Sequence, residues 1–162
     1  MATIIIEDGT VVPGANSYVT EAELTTYAAD RGITLTAATD VLLIKAMDYI
    51  ESLAFTGTKF SEGQPLQWPR SNVYIDGFYF VPTIIPPALQ TGQIATALAI
   101  DSDNGPLATV GRSTKREKVD VIEVEYMSSA AAQPIVKTIN AAMRKILVSG
   151  GSSMTTFAVI RA

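Results

Sequence analysis

The chain has 162 residues, of which 48% are hydrophobic and 17% are charged, and its net charge is −4. This length and composition are sufficient for one domain with a sizeable core. Cysteine and histidine are both absent. Their absence excludes disulfide frameworks, thiol nucleophiles and the commonest general base, so we expect a protein that is not an enzyme.

Charge is distributed unevenly along the chain. Residues 1–103 carry twelve acidic and four basic side chains, whereas residues 104–162 carry four acidic and eight basic ones. This polarity fits orientation between two neighbours or head-to-tail stacking of copies, and it equally fits chance unevenness in a small protein. The overall acidity argues against a dedicated nucleic-acid-binding protein. Without a basic leader or an apolar run of ~18 residues, we expect a soluble protein made in the cytoplasm.

The N-terminal region predicts a short strand or extended arm and then a helix. Residues 3–6 are a β-branched run that ends at a turn signal. Thr20 is the expected N-cap, and Glu23 completes a capping box three residues later. This first helix is predicted to extend to about Arg31.

A second helix is predicted from Thr36 or Thr39 to about Leu53. Apolar residues recur in it at helical spacing and predict a buried stripe: Leu42, Ala46, Tyr49, Ile50 and Leu53.

An aromatic loop follows the second helix. Seven of the twelve aromatic residues lie between Phe55 and Phe80, and the segment at 64–70, Gln-Pro-Leu-Gln-Trp-Pro-Arg, holds the only tryptophan. Two prolines this close together exclude a helix or a central strand. We therefore expect an ordered loop that packs either onto its own domain or onto another subunit.

A third helix is predicted after Pro86 and Pro87. Small side chains line one side of it, which would allow another helix to approach closely: Ala88, Gly92, Ala95 and Ala99. Asp101 and Asp103 faintly resemble a calcium loop, but the closing glutamate is missing, so a turn and no metal site is expected.

The C-terminal third begins with a polar loop at 107–118 that contains Arg112, Lys115, Arg116 and Lys118. These cations favour either a solvated loop or weak contact with DNA phosphates. Residues 119–126 alternate in two opposite phases, which predicts one strand with a β-bulge between Val121 and Ile122.

The last predicted elements are a helix, a hinge and a strand. Pro134 lies in the first turn of the helix, whose apolar stripe is Ile135, Ile139, Ala142, Met143 and Ile146. Residues 150–153 are a flexible glycine-serine break before a strand at 155–160. That strand is expected to complete a sheet, in this subunit or in another protein.

Taken together, these segments resemble a family of tailed-bacteriophage proteins, the head-tail adaptors or connectors. Some members of that family are labelled DnaT-like single-stranded-DNA-binding proteins. The resemblance covers residues 14–126 in order, and Trp68-Pro69-Arg70 is its most specific part. Its other parts are Gly14–Val19, Ala28 with Arg31-Gly32, Ala46–Ile50, Phe55-x-Gly57-x-Lys59, Gln64, Leu66-Gln67, Ile85-Pro86 with Ala88-Leu89, Val110-Gly111 and Val124–Tyr126.

The resemblance implies a mainly α fold, a four-helix adaptor-type bundle with a small β element at about 119–126 and extended terminal arms. The length and the glycine-serine break predict one domain at 1–149 and a flexible tail at 150–162. The subunits would form a dodecameric ring in the neck of the virion, between the portal protein and a tail-side stopper or tail-completion protein. Packaged double-stranded DNA would pass through without sequence-specific contact, and no cofactor, metal or membrane is implied.

Two sets of site residues follow from this interpretation. The expected subunit or portal interface comprises Trp68, Pro69, Arg70, Phe78, Phe80, Phe157, Val159 and Ile160, and the expected DNA-channel contacts are Arg112, Lys115, Arg116 and Lys118. The alternative is a single-stranded-DNA-binding protein that uses Trp68, Arg70 and the basic loop through base stacking and phosphate contact.

Overall fold

The computed structural model describes residues 2–102, 114–118, 123–126 and 134–148. Its helices are α1 (Glu21–Ala29), α2 (Thr39–Glu51), α3 (Pro87–Asp101) and α4 (Pro134–Met143). Its strands form antiparallel pairs: β1 (Thr58–Lys59) with β2 (Arg70–Ser71), β3 (Val73–Ile75) with β4 (Phe78–Phe80), and β5 (Thr114–Lys118) with β6 (Glu123–Tyr126). Within these ranges no helix is both long and apolar enough to span a membrane.

The start of α1 confirms the predicted capping box. The Thr20 hydroxyl accepts a hydrogen bond from the Glu23 N–H at 3.1 Å, and the Glu23 carboxylate accepts one from the Thr20 N–H at 2.7 Å. Each side chain thereby satisfies a backbone donor that the first turn leaves unpaired. The helix ends at Ala29, two residues before the predicted position.

The segment just before α2 is held by a distant part of the chain. The N-cap residue of α2, Ala38, has no capping side chain. The Asp101 carboxylate, at the end of α3, accepts hydrogen bonds from the N–H groups of the two preceding residues, Thr36 at 3.0 Å and Ala37 at 2.8 Å. Partial burial raises the pKa of Asp101, but these hydrogen bonds outweigh that effect and hold the pKa below its usual value.

Helix α3 is the central helix, since it packs against α1, α2 and α4. The predicted close approach on its small-residue face is confirmed: a Cβ at Gly92 would overlap the side chain of Met143 in α4. Ile139, one turn earlier in α4, shares a groove with Ala95 and Ala99, which lie later in α3. Helices α3 and α4 are therefore antiparallel.

The predicted four-helix adaptor-type bundle is wrong, and the fold is α+β. Between α2 and α3 the chain forms β1 to β4, and this segment buries Phe55, Leu66, Trp68 and Val73 in one cluster with residues of α2, α3 and α4. Large aromatic rings bury much apolar surface. Loop and sheet residues therefore occupy the side of the core that a bundle would close with a helix.

The predicted strand at 119–126 is confirmed for residues 123–126, whereas residues 119–122 lie outside the described part of the chain. Strand β6 begins at Glu123 and pairs with β5, in a segment for which the sequence predicts a loop. The run Thr-Lys-Arg-Glu-Lys has no apolar alternation, so strand formation there depends on pairing, which the sequence pattern does not reveal. The predicted bulge at 121–122 and the tail at 150–162 lie outside the described residues, so the domain boundary stays a prediction.

Of the short strand or extended arm predicted at 3–6, the structure shows an arm that makes a single bridge, between Ile6 and Ser17. The buried Glu7 carboxylate folds the following loop by accepting N–H groups of Gly9, Val11 and Val12 at 2.9 to 3.0 Å. The Glu7 carboxylate thus satisfies backbone N–H groups of this loop that a neighbouring strand would otherwise have to bind.

Candidate functional site

Trp68, the centre of the predicted site, is a core residue. Its side chain is fully buried, and its ring makes edge-to-face contacts with Phe55 and Phe80 at centroid distances of 6.3 and 6.0 Å. Its indole N–H has no partner within the described part of the chain. Pro69 is buried beside it. Neither residue can stack on a base or contact a partner without unfolding this region.

Arg70 is occupied by the protein's own backbone. Its guanidinium donates hydrogen bonds to the carbonyl oxygens of Thr56 at 2.7 Å and Gly57 at 2.8 Å, and to the Gln67 side chain at 2.9 Å. A planar guanidinium with several donors is well suited to cross-linking a loop in this way. Arg70 therefore holds the aromatic segment together and is not free to bind a phosphate.

A buried polar network fastens the aromatic segment to α2. The Tyr18 hydroxyl donates to Glu51 at 3.0 Å and accepts the Trp68 N–H at 3.1 Å, while Glu51 also accepts the Gln67 N–H at 3.1 Å. Burial raises the pKa of Tyr18, with the nearby Glu51 adding to the effect, and burial also raises the pKa of Glu51. Sequence reasoning misses this network because its members are far apart in the chain.

Strands β3 and β4 form a projecting hairpin, residues 73–80, which we call the aromatic hairpin. Its two-residue turn is Asp76-Gly77, with φ angles of 54° and 86°, as the tight turns of β-hairpins require. The Asp-Gly pair between aromatic runs is a strong hairpin signal in the sequence, and it could have revealed this element.

The two faces of the aromatic hairpin carry different side chains. Tyr74 and Tyr79 are paired across the strands with ring centroids 5.8 Å apart, and they are 63% and 52% exposed. Adjacent residue pairs point to opposite faces. Phe78 therefore lies on the other face, at the outer end, and is 78% exposed. Phe80 lies on that same face but packs inward against Trp68.

The surroundings of the aromatic hairpin are apolar and carry few charges. Phe60, Val81 and Ile84 are each about half exposed, and residues 71–86 contain one charged side chain, Asp76. The Asp76 carboxylate forms an exposed ion pair with Lys145 at 2.6 Å. This surface is therefore mainly apolar, and Lys145 is the cation that lies beside the hairpin turn.

The structure divides the predicted site residues into four groups. Phe78 is exposed, whereas Trp68, Pro69, Arg70 and Phe80 pack in or against the core. Lys115, Arg116 and Lys118 lie on β5. Phe157, Val159, Ile160 and Arg112 lie outside the described residues. Among the described residues no cluster of acidic side chains could hold a metal ion.

One groove on the surface is apolar. It lies between the ends of α1 and α3, has a volume of about 460 Å³, and is lined by Tyr27, Arg31, Ile33, Leu98, Ser102 and Ile139 among others. Within it the Arg31 guanidinium stacks 3.4 Å from the centroid of the Tyr27 ring. We call it the Leu98 groove.

Comparison with known proteins gives one family. Searches among curated proteins and among solved structures gave no match. The family model described as "Putative DnaT-like ssDNA binding protein" matches residues 2–162. This agrees with the DnaT-like label carried by the sequence resemblance, whereas the head-tail adaptor part of that resemblance stays a prediction. Because the match spans nearly the whole chain, the protein belongs to this DnaT-like family.

Proposed function

We propose that the protein binds single-stranded DNA without catalysing a reaction, and that the aromatic hairpin is its contact surface. The observation that carries this proposal is the exposed pair of Tyr74 and Tyr79 on one face of a two-stranded hairpin. Membership of the DnaT-like family supports DNA as the ligand.

Base stacking is the interaction that this surface offers. Aromatic side chains bind single strands because every base has a π-face, and each stacked base contributes about 1–3 kcal/mol. Tyr74 and Tyr79 replace Trp68 as the candidate stacking residues, since Trp68 is fully buried. The binding would therefore depend little on base sequence.

Phosphate contacts would be few. Lys145 lies at the hairpin turn through its ion pair with Asp76, and Lys59 is the last residue of β1, directly before the exposed Phe60. For single strands the logarithm of the binding constant falls by about 0.7 per neutralised phosphate for each tenfold rise in salt. With two such cations we expect a slope of about −1.4, which is shallow for a nucleic-acid-binding protein.

The test is fluorescence anisotropy of a labelled oligothymidine at physiological salt. Tyr74→Ala and Tyr79→Ala should each weaken binding about tenfold or more, because each removes one stacking platform. Phe60→Ala is the matched control: Phe60 is as exposed as Tyr79 but lies outside the hairpin, so its loss should change binding much less. Absence of oligonucleotide binding by the unmodified protein, or equal loss in all three variants, would refute the proposal.

A second candidate is the structural head-tail adaptor of a tailed phage, forming a ring between portal and tail. The observation that favours it is the exposed apolar surface of Phe78, Val81 and Ile84 beside a hairpin with a single charged residue, because such a patch is typical of protein contacts. In this role the protein would contact the portal and a tail-side stopper or tail-completion protein, reside in the virion neck, and surround packaged DNA.

Electron microscopy of the protein mixed with portal separates the two candidates. An adaptor should add a ring beneath the portal, and deletion of residues 150–162 should abolish this if the tail engages the portal. An adaptor should also be present in purified virus particles. If the protein does not join the portal but binds oligonucleotides through Tyr74 and Tyr79, the adaptor role is excluded and the DNA-binding role is supported.

A further inference from the structure

We propose that Asp76 competes with DNA phosphates for the Lys145 ammonium, and that this ion pair limits how tightly the aromatic hairpin binds single-stranded DNA. The inference rests on the proposed function and adds a control of affinity at the same surface. It starts from the charge of that surface. The one charged side chain between residues 71 and 86 is an acid, although the ligand proposed for the hairpin is an anion.

Asp76 lies close to the stacking pair. Tyr74 and Tyr79 form one cross-strand pair, one further pair follows, and the turn with Asp76 begins directly after it. Successive residues of a strand are about 3.3 Å apart along its axis, which places the Asp76 backbone about 7 Å from the tyrosine pair. This distance is within the Debye length of about 8 Å at physiological ionic strength. A phosphate of a strand stacked on these rings would therefore meet incompletely screened repulsion from Asp76.

Lys145 neutralises this acid within the chain. Its Nζ lies 2.6 Å from Oδ2 of Asp76, and the lysine and aspartate side chains are 48% and 61% exposed. Exposed ion pairs contribute little to stability, because water competes for both partners. A DNA phosphate can therefore take the place of the carboxylate at the ammonium, but it leaves Asp76 unpaired beside a second negative charge. Phosphate binding by Lys145 is thus weakened by Asp76.

The fold determines where both charges lie. Asp76 and Gly77 have the positive φ angles, 54° and 86°, that a tight hairpin turn requires. Lys145 directly precedes Ile146, which is fully buried and whose carbonyl oxygen accepts the Thr56 N–H at 2.9 Å. The lysine side chain itself is a flexible four-carbon stem with a rotatable ammonium group. Its ammonium can therefore turn from Asp76 to a nearby phosphate without a change in the backbone.

Asp76→Asn tests the inference, because asparagine before glycine also suits this turn and keeps the shape of the side chain while it removes the charge. Binding of labelled oligothymidine would be followed by fluorescence anisotropy at low salt. Two unit charges about 5 Å apart in water change an affinity about three- to fivefold. We therefore expect Asp76→Asn to bind about three- to fivefold more tightly than the unmodified protein. This gain should shrink as salt rises, because salt screens the repulsion.

Two further variants and a second probe separate this competition from other effects. Adding Lys145→Gln to Asp76→Asn should remove the gain, because the released cation is then missing. Asp48→Asn, at an exposed aspartate of α2, makes the same change in net charge and should leave the affinity nearly unchanged. An oligothymidine with an uncharged methylphosphonate backbone should bind Asp76→Asn and the unmodified protein equally well, since it offers bases to Tyr74 and Tyr79 but no phosphate charge.

The results also distinguish this inference from the proposed function. If the unmodified protein binds oligothymidine through Tyr74 and Tyr79 but Asp76→Asn binds no more tightly, the inference is wrong and the DNA-binding proposal stands. A gain of equal size with Asp48→Asn would overturn the inference, because net charge alone would then explain it. A double variant that keeps the full gain would overturn it as well, because Lys145 would then take no part. If neither the unmodified protein nor Asp76→Asn binds oligothymidine, both proposals fail.

Discussion

At the scale of single residues, the arrangement around Trp68 separates residues that hold the fold from residues that are free to bind. The indole ring is buried, the Arg70 guanidinium makes five hydrogen bonds within its own chain, and the Glu51 carboxylate binds the Tyr18 hydroxyl and a loop N–H. Tyr74, Phe78 and Tyr79 are exposed only a few residues later. Aromatic content in the sequence therefore predicts an important segment without indicating which rings face solvent.

Glu51 gives a prediction about pH. Burial raises its pKa in the folded protein, so its contribution to stability is fully present below the pKa of the unfolded chain and is lost as pH rises through the folded pKa. The substitution Glu51→Gln would keep an acceptor for the Tyr18 hydroxyl and remove the charge. We expect the stability of Glu51→Gln relative to the unmodified protein to increase between about pH 4 and pH 7.

Urea denaturation at both pH values measures this difference. Glu62→Gln, which replaces an exposed glutamate, controls for the change in net charge. If Glu51→Gln loses stability relative to the unmodified protein as pH rises, the carboxylate is stabilised in the folded state and the assignment is wrong.

At the scale of elements, the sequence predicts features that depend on neighbouring residues and misses those that depend on contacts between distant residues. The capping box of α1 involves residues three apart and follows directly from the sequence. The segment before α2 is bonded to Asp101, more than sixty residues later, and β5 is formed by pairing with β6. The small residues of α3 correctly predict close helix packing, but the partner helix is identified only by the contact with Met143.

Gly92 tests that packing. An added Cβ would overlap the side chain of Met143, and overpacking of a core typically costs about 1–3 kcal/mol. The intrinsic helix preference of alanine over glycine offsets at most about 1 kcal/mol. We therefore expect Gly92→Ala to lower the free energy of unfolding by about 1–2 kcal/mol. Gly63→Ala, where an added Cβ meets nothing within 4 Å, should be nearly neutral in the same urea titration, and a stabilised Gly92→Ala would contradict the close contact.

At the scale of the whole molecule, the incorrect bundle prediction has a physical origin. Helical periodicity identifies helices, but it does not show what covers them. Here the segment between α2 and α3 inserts Phe55, Leu66 and Trp68 into the cluster that also holds Ile50, Leu89 and Met143. The loop-and-hairpin segment is thus part of the core and not a separate appendage.

This shared core predicts that the aromatic segment and the helices unfold together. Trp68 is the only tryptophan, so its fluorescence reports on the segment, whereas far-ultraviolet circular dichroism reports on the helices. If both belong to one cooperative unit, the two urea transitions should coincide.

Binding of an oligonucleotide should leave Trp68 emission nearly unchanged, since the ring is fully buried. A Trp68 transition at lower urea than the helical one would show that the segment detaches first, and the rigid platform on which Tyr74, Phe78 and Tyr79 depend would then be lost.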